Sequence, residues 1–503
     1  MRHLVFTSVL LVCSCLSGFS QSKSLEKADR LFKETSYPAA IEAYKKAIKD
    51  NPKSTRAVAR LADCYRLTND HRNAFRWYAK AAKSKKADPE VWFHFGEELM
   101  MNRKYEQAIP WLEKYQAKNP SDDRIPEMIA SCKNLEEYAA SKSMFLLRRL
   151  KINSEASDFG PTFYKDQVVF ASARKRSIVK ANRTGEAFLD FYTADYNGKP
   201  ELGEPRLFRG NTNTPFHEAN ACFSADGKEI FFTRNNVLAS KKSDKDAVVQ
   251  LALYRSEWID GKWQNEAPLP FNSDQYSSGH PALSPDGKKL YYVSRRPGGF
   301  GGTDLWVVER KGKAWGKPEN LGQDINSKGN EMFPWMAPDG MLYFASNGQG
   351  GLGGLDIFKV DPVTDLVSKP VNMGAPINSP YDDFSMILDP KTGIGFFTSN
   401  RLGGKGEDDL YALMKLLPYE AEVVDEDGKP IEGAAIDMRL GRSRTQMLSD
   451  GDGKFLIGLK PNASYLLLIK TPGYQDFRLD FVAKEELTKA PQQLRLLKAE
   501  PSE

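Results

Sequence analysis

The chain has 503 residues, and its 71 Lys+Arg against 66 Asp+Glu leave a net charge of +5 that is spread along the sequence. A nucleic-acid binder would concentrate that excess in a patch, so the balance argues against one. With 41% hydrophobic and 27% charged residues the composition is that of a folded protein, and at ~150 residues per domain the length implies about three domains.

The N-terminus opens with Arg2 and His3, an apolar run from Leu4 to Leu16, and small residues before Gln21. This is the layout of a secretory signal peptide over residues 1–20, with cleavage after "SGFS". Cys15, in "LLVCSC", stands in a loose lipoprotein box, so lipidation at Cys15 and plain signal-peptidase cleavage are both left open. No later segment reaches the ~18 apolar residues that a membrane-spanning helix needs. After removal of the signal only Cys64, Cys132 and Cys222 remain, too few and too scattered for a disulfide framework. They read as small buried hydrophobes.

Residues 22–142 carry a helical pattern that repeats every 34 residues. In the third unit Trp92, Phe95, Gly96, Leu99, Ala108, Leu112, Tyr115 and Pro120 fall at the offsets of a tetratricopeptide repeat (TPR), which the segment resembles. Small residues let two antiparallel helices approach, and large ones fill the space between them. Three such units and a closing helix near 124–141 are about the minimum that buries a continuous core.

Residues 145–416 change to strands and dense turns. A frame of apolar pair, Asp-Gly-like turn and alternating strand recurs as "ACFSADGKEIFFTRN", "PALSPDGKKLYYVSRR", "PWMAPDGMLYFASN" and "SMILDPKTGIGFFTSN", with a weaker copy at 161. Asp286-Gly287 and Asp339-Gly340 supply the positive-φ positions of tight hairpins. A third strand follows, opening on Asp190, Asp304, Asp356 or Asp409, and then a fourth. Four strands in about 52–61 residues make one blade of a WD-like β-propeller. Five blades are expected, with six as the alternative. "FLLRRLKINS" at 145–154 looks like an outer strand without a blade of its own, which would complete the last one and leave no edge unpaired.

The glycine-rich stretches "SRRPGGFGGTDLW", "SNGQGGLGGLDIF" and "SNRLGGKGEDDLY" could suggest a phosphate loop. Such a loop opens a helix, whereas here each leads into an alternating strand, so the glycines are read as turn-formers and no cofactor is expected. Two basic insertions, "RKRSIVKANRTGEAF" and "NNVLASKKSDKDAVVQ", are candidates for a partner-facing rim. Residues 418–498 form a third unit of short strands and Asp-Gly turns. It resembles the carboxypeptidase regulatory-like domain, a small β-sandwich, through Gly428, Pro430, Gly433, Ala434, Asp450, Gly453, Phe455 and Gly473-Tyr474.

Catalytic constellations are missing from the sequence. Five histidines include no pair at metal spacing, and there is no HExxH, CxxC or G-x-S-x-G. The aspartates Asp190, Asp304, Asp356 and Asp409, one in each of four blades, read as repeated structural hydrogen-bonding groups rather than a glycosidase pair. No enzyme activity and no metal are expected.

The order of signal peptide, TPR, propeller and regulatory-like sandwich resembles the periplasmic, outer-membrane-associated proteins of Bacteroidetes, a group that includes the PorE component of the type IX secretion system. Members continue into an OmpA-like domain that holds peptidoglycan, and this sequence ends at "LLKAEPSE" without one. The resemblance implies an exported, periplasmic scaffold associated with the outer membrane, meeting envelope or secretion-system proteins through its TPR groove and propeller face. A carbohydrate- or peptidoglycan-fragment-binding envelope protein is the alternative.

Overall fold

A computed structural model describes residues 23–138, 144–175, 181–210, 212–236, 249–362 and 369–499. The signal segment with Cys15, part of the first basic insertion (176–180) and most of the second (237–248) lie outside the described residues. By internal contacts the chain divides into two units, one of residues 1–87 with 182–184 and one of 88–181 with 185–503.

In the first unit four helices form antiparallel pairs: α1 (Lys23–Lys33) with α2 (Tyr37–Asp50), and α3 (Thr55–Leu67) with α4 (His71–Ala81). Side-chain caps fix where α3 and α4 start: Ser54 accepts from the N–H of Ala57, and Asp70 from that of Asn73. Alanines 28, 40, 62 and 74 are fully buried, so the helices approach closely around Tyr44, Leu61 and Tyr78. The same pairing continues in the second unit with α5 (Pro89–Met101) and α6 (Tyr105–Gln116), followed by α7 (Arg124–Lys133) and a 3-10 turn, Leu135–Tyr138. Within each pair the turn contains one residue in the left-handed region, namely Thr35, Asn69 and Arg103, spaced 34 apart. The helical repeat therefore shows in the backbone as well as in the side chains.

Five small antiparallel sheets follow. Sheet I consists of Asp158–Tyr164, Gln167–Ser172, Asp190–Asp195 and Arg206–Leu207; sheet II of Glu218–Phe223, Glu229–Asn235, Leu251–Ile259 and Lys262–Pro268. Sheet III has Ser278–Leu283, Lys289–Ser294 and Asp304–Lys311, with two short outer pieces, Ala314–Trp315 and Glu319–Asn320. Sheet IV has Glu331–Met336, Leu342–Ser346, Asp356–Val360 and Val371–Asn372. Sheet V has Asp383–Leu388, Ile394–Ser399 and Asp409–Lys415, and its outer strand is Phe145–Arg149, drawn from ahead of sheet I, in register from Phe145 opposite Lys415 to Arg149 opposite Tyr411.

The first strand of each sheet lies beside that of the next, and the first strand of sheet V lies beside that of sheet I. Alternation along the strands serves both neighbours. Phe231 enters the apolar cluster shared with sheet III, while Phe232, pointing the other way, enters the one shared with sheet I. Phe396 and Phe397 divide likewise between sheets I and IV. Each pair of neighbouring sheets thus shares one cluster, and truncating such a phenylalanine to alanine costs about 3–5 kcal/mol.

The C-terminal region has two further sheets. One contains Leu417–Val424, Lys454–Leu459 and Gln492–Arg495, the last running parallel to the first; the other contains Ala435–Leu440, Ser443–Leu448, Ser464–Lys470 and Phe477–Val482. They share one core around Tyr419, Val423, Ile436, Leu467 and Ile469. Asp450 closes the "DGDG" hairpin by accepting from the N–H groups of Asp452 and Lys454.

Candidate functional site

Most residues singled out by sequence take part in making turns and packing. Asp286 accepts from Ser284 Oγ and the N–H of Lys288, and Asp339 from the N–H of Met341, with Gly287 and Gly340 at positive φ beside them. In the helices Ala108 is fully buried, Trp92 is nearly so beneath the Lys114 ammonium, and Pro120 is exposed. A Cβ on Gly96 would come within 2.7 Å of Leu112 Cδ2, so the glycine is what lets α5 and α6 meet there.

The glycine loops wrap the aspartates that open the third strands. Asp304 accepts from the N–H groups of Phe300 (2.6 Å) and Gly301 (3.0 Å), Asp356 from that of Leu352 (2.6 Å), and Asp409 from those of Lys405 and Gly406. A side chain at Gly351 would overlap the Asp356 carboxylate. Each loop is closed around its own aspartate, which leaves the N–H groups no room to cradle a phosphate. Asp190 in sheet I is paired with Lys175 instead.

Two further features recur from sheet to sheet. One asparagine ahead of each first strand clamps the third strand of the preceding sheet: Asn213 on Phe191, Asn272 on Leu253, Asn326 on Leu305, Asn378 on Ile357 and Asn153 on Leu410, each accepting the N–H and donating to the C=O of its partner. Five residues after four of these asparagines stands a buried acid, Asp158, Glu218, Glu331 or Asp383, which accepts from the Ser or Thr that follows the asparagine. Arg174, Arg234 and Arg401 neutralise Asp158, Glu218 and Asp383. The spacing Asn-Ser/Thr-x-x-x-Asp/Glu is the signal that finds them. Glu331 has no arginine; burial pushes its pKa up to about 7, against hydrogen bonds from Ser327 and Ser346.

The first strands also enclose a cavity of about 680 Å³, lined by residues of all five sheets. Each first strand is bulged at the same place, and the bulge residue has positive φ: Gly160, Asn220, His280, Phe333 and Ser385. All five line the cavity. Burial pushes the pKa of His280 down to about 3, so the ring is neutral, and because its Nδ1 accepts the Phe333 N–H at 3.2 Å the proton sits on Nε2. The carboxylates of the lining, Asp226 and Asp389, cap hairpins: Asp226 accepts from Ser224 and Lys228, Asp389 from Lys391, Thr392 and Tyr196. Lys165 and Lys391 also line the cavity, which thus combines aromatic surface with two lysines and two hairpin-capping aspartates. Among the described residues no cluster of three His, Cys, Asp or Glu is placed to hold a metal.

A tetratricopeptide repeat family model matches residues 25–90. No curated protein matches the chain. Among solved structures, an α-L-arabinofuranosidase from Lactobacillus brevis is 12% identical over 56% of this chain and 95% of its own, with a TM-score of 0.34. The exo-β-1,3-galactanase 1,3Gal43A from Clostridium thermocellum is 14% identical over 67% and 82%, with a TM-score of 0.35. A 3-chlorocatechol 1,2-dioxygenase from Rhodococcus opacus 1CP is 15% identical over 16% of this chain at a TM-score of 0.14, and the chain spans 59% of its length. At these scores none of the three bears on what this chain does.

Proposed function

We propose that the protein is a non-enzymatic scaffold that binds protein partners. The observation that carries this is the TPR match over residues 25–90, because repeats of this kind generally mediate protein–protein interaction. We read the five sheets as blades of a propeller closed by the strand Phe145–Arg149, and the last two sheets as a carboxypeptidase regulatory-like sandwich. The reading of a closed ring is supported by the return of sheet V to sheet I and by the Asn153 clamp on Leu410. Asp304 and Asp409 are held by their loops, and Asp158, Glu218 and Asp383 by arginines, which supports a non-catalytic role.

The signal-like N-terminus and the domain order support a periplasmic location at the outer membrane, with an envelope or type IX secretion-system protein as partner. Crosslinking followed by mass spectrometry on native envelopes tests this. Reproducible crosslinks from helices α1–α7 or the sheet loops to envelope proteins are expected; an uncrosslinked monomer, or recovery from the cytoplasm, would sink the proposal.

A further inference from the structure

Four of the five sheets close the turn ahead of their first strand around a buried acid, and sheet III does not. Ser154, Thr214, Ser327 and Ser379 each give their N–H to that acid, at 2.5, 3.1, 3.0 and 2.6 Å. The register that sets Asp158 opposite Ser172 and Asp383 opposite Ser399 sets Ser278 opposite Ser294, so a serine takes the acid's place. Ser278 is buried, and its Oγ lies 2.9 Å from that of Ser294. The turn from Asn272 to Ser278 is one residue longer than its counterparts, and among the described residues the N–H of Ser273 has no acceptor.

The arginine, by contrast, is kept. Arg296 follows Ser294 by two residues, as Arg174 follows Ser172 and Arg401 follows Ser399. Its guanidinium lies 5.0 Å from the Trp306 ring, and those of Arg174 and Arg401 lie 5.0 and 5.2 Å from Tyr192 and Tyr411, at the same place in their sheets. Arg174 donates to Ser172 Oγ, the Ile152 carbonyl and Asp158; Arg401 donates to Ser399 Oγ, the carbonyls of Pro376 and Ile377, and Asp383. The Arg296 guanidinium donates to the Tyr292 hydroxyl alone, at 2.9 Å. That hydroxyl is neutral and cannot satisfy a whole fork of N–H donors. Asp274, the one carboxylate on the turn, is exposed and accepts from the Gln275 amide instead. Arg296, Tyr276 and Ser273 are half-buried, so the guanidinium can be reached from solvent.

From this we infer that sheet III binds a carboxylate from outside the chain at Arg296, in the seat that the sister sheets fill with their own aspartate or glutamate. The incoming oxygens accept from the guanidinium fork and from the Ser273 N–H. Tyr276 and Trp306 flank the guanidinium and limit its swing. A half-buried charge without a counter-ion is costly, and a carboxylate removes that cost. Sheets I, II and V each hold a planar carboxylate on one arginine, which favours that shape over a tetrahedral phosphate. The carboxylate comes from an Asp or Glu side chain of a bound protein or from a free ion, and the test separates the two. The inference goes beyond the scaffold reading and does not rest on it.

The test is an NMR titration of the full chain with sodium acetate and with the end-capped peptide acetyl-Gly-Asp-Gly-amide, using acetyl-Gly-Asn-Gly-amide as control. It is run on the wild type and on the variants Ser278→Asp and Arg296→Gln, whose folding circular dichroism checks. Ser278→Asp supplies the acid from within, so it should resist urea at least as well as the wild type; a carboxylate buried in a seat that does not fit it would lower stability. Saturable binding of acetate or of the Asp peptide, weakened about tenfold or more in both variants, is the expected result. Binding of the peptide without acetate identifies an acidic side chain as the ligand, and binding of acetate without the peptide a free ion. No binding of either, equal binding of the Asn peptide, undiminished binding in the folded variants, or a Ser278→Asp protein less stable than the wild type overturns the inference. Absence of protein crosslinks would count against the scaffold reading alone.

Discussion

The carboxamide of Asn153 holds both backbone groups of Leu410, 257 residues further along the chain: Nδ2 donates to the Leu410 carbonyl and the Leu410 N–H donates to Oδ1, each at 2.9 Å. Replacing Asn153 with alanine removes two hydrogen bonds and strands the buried Leu410 N–H, while the Leu410 carbonyl keeps the Leu150 N–H at 3.1 Å. A loss of about 2–3 kcal/mol is expected by urea unfolding. Asn326→Ala, which releases Leu305, serves as the comparison and should cost a similar amount. A change under about 0.5 kcal/mol at both positions would mean that the clamps are incidental to stability.

Gly351 and Gly287 both have positive φ, yet they differ in surroundings. At Gly351 (φ +144°) a Cβ would overlap the Asp356 carboxylate, and the N–H already donates to Ser131 Oγ; at Gly287 (φ +70°) nothing lies within 4 Å. Gly287→Ala should therefore cost about 1 kcal/mol, and Gly351→Ala more than about 3 kcal/mol. Calorimetric melting of the two variants decides it, and equal costs would show that the loop yields around its aspartate.

Glu331 makes stability depend on pH in a definite direction. Burial raises its folded pKa from 4.5 to about 7, so the native state holds a proton that the unfolded chain gives up. Stability falls as pH rises from 4.5 towards 7, and the loss is complete above that window. Glu331→Gln should flatten this slope in urea titrations run between pH 5 and pH 8. An unchanged slope would assign it to other groups, such as Glu218, which burial also raises to about 7.

Burial holds the thiol of Cys64 near a pKa of about 12 and that of Cys132 near about 11. Both should resist alkylation by iodoacetamide at pH 8 in the folded protein and react once it is denatured. Labelling of either in the native state, seen by peptide mass, would show that the helices open.

What the sequence reveals is what is local. Asp286-Gly287 followed by "KKLYYVS" contains its whole instruction, a turn and a period of two, within ten residues. The clamp is only half visible: "INS" and "FNS" stand out by recurrence, but the backbone they hold is 19 to 257 residues away. Asn213, flanked by threonines, lacks the serine of the other clamps and shares with three of them only the acid five residues on. The cavity is not visible at all. Nothing near His280, Phe333 or Ser385 announces a left-handed backbone, because the bulge is imposed by the neighbouring strands.

The segment from α5 to the 3-10 turn Leu135–Tyr138 hydrogen-bonds to the backbone of the loops of sheet IV. Tyr105 donates to the Leu352 carbonyl, Ser131 accepts from Gly351, and the carbonyl of Tyr138 accepts from Ala375. Anyone dividing the gene where helix gives way to strand, near codon 144, would expose those groups and obtain a fragment with an unsatisfied, glycine-rich scar. A start at Asp88 keeps these partners together and is the natural first choice for expressing the sheets without α1–α4.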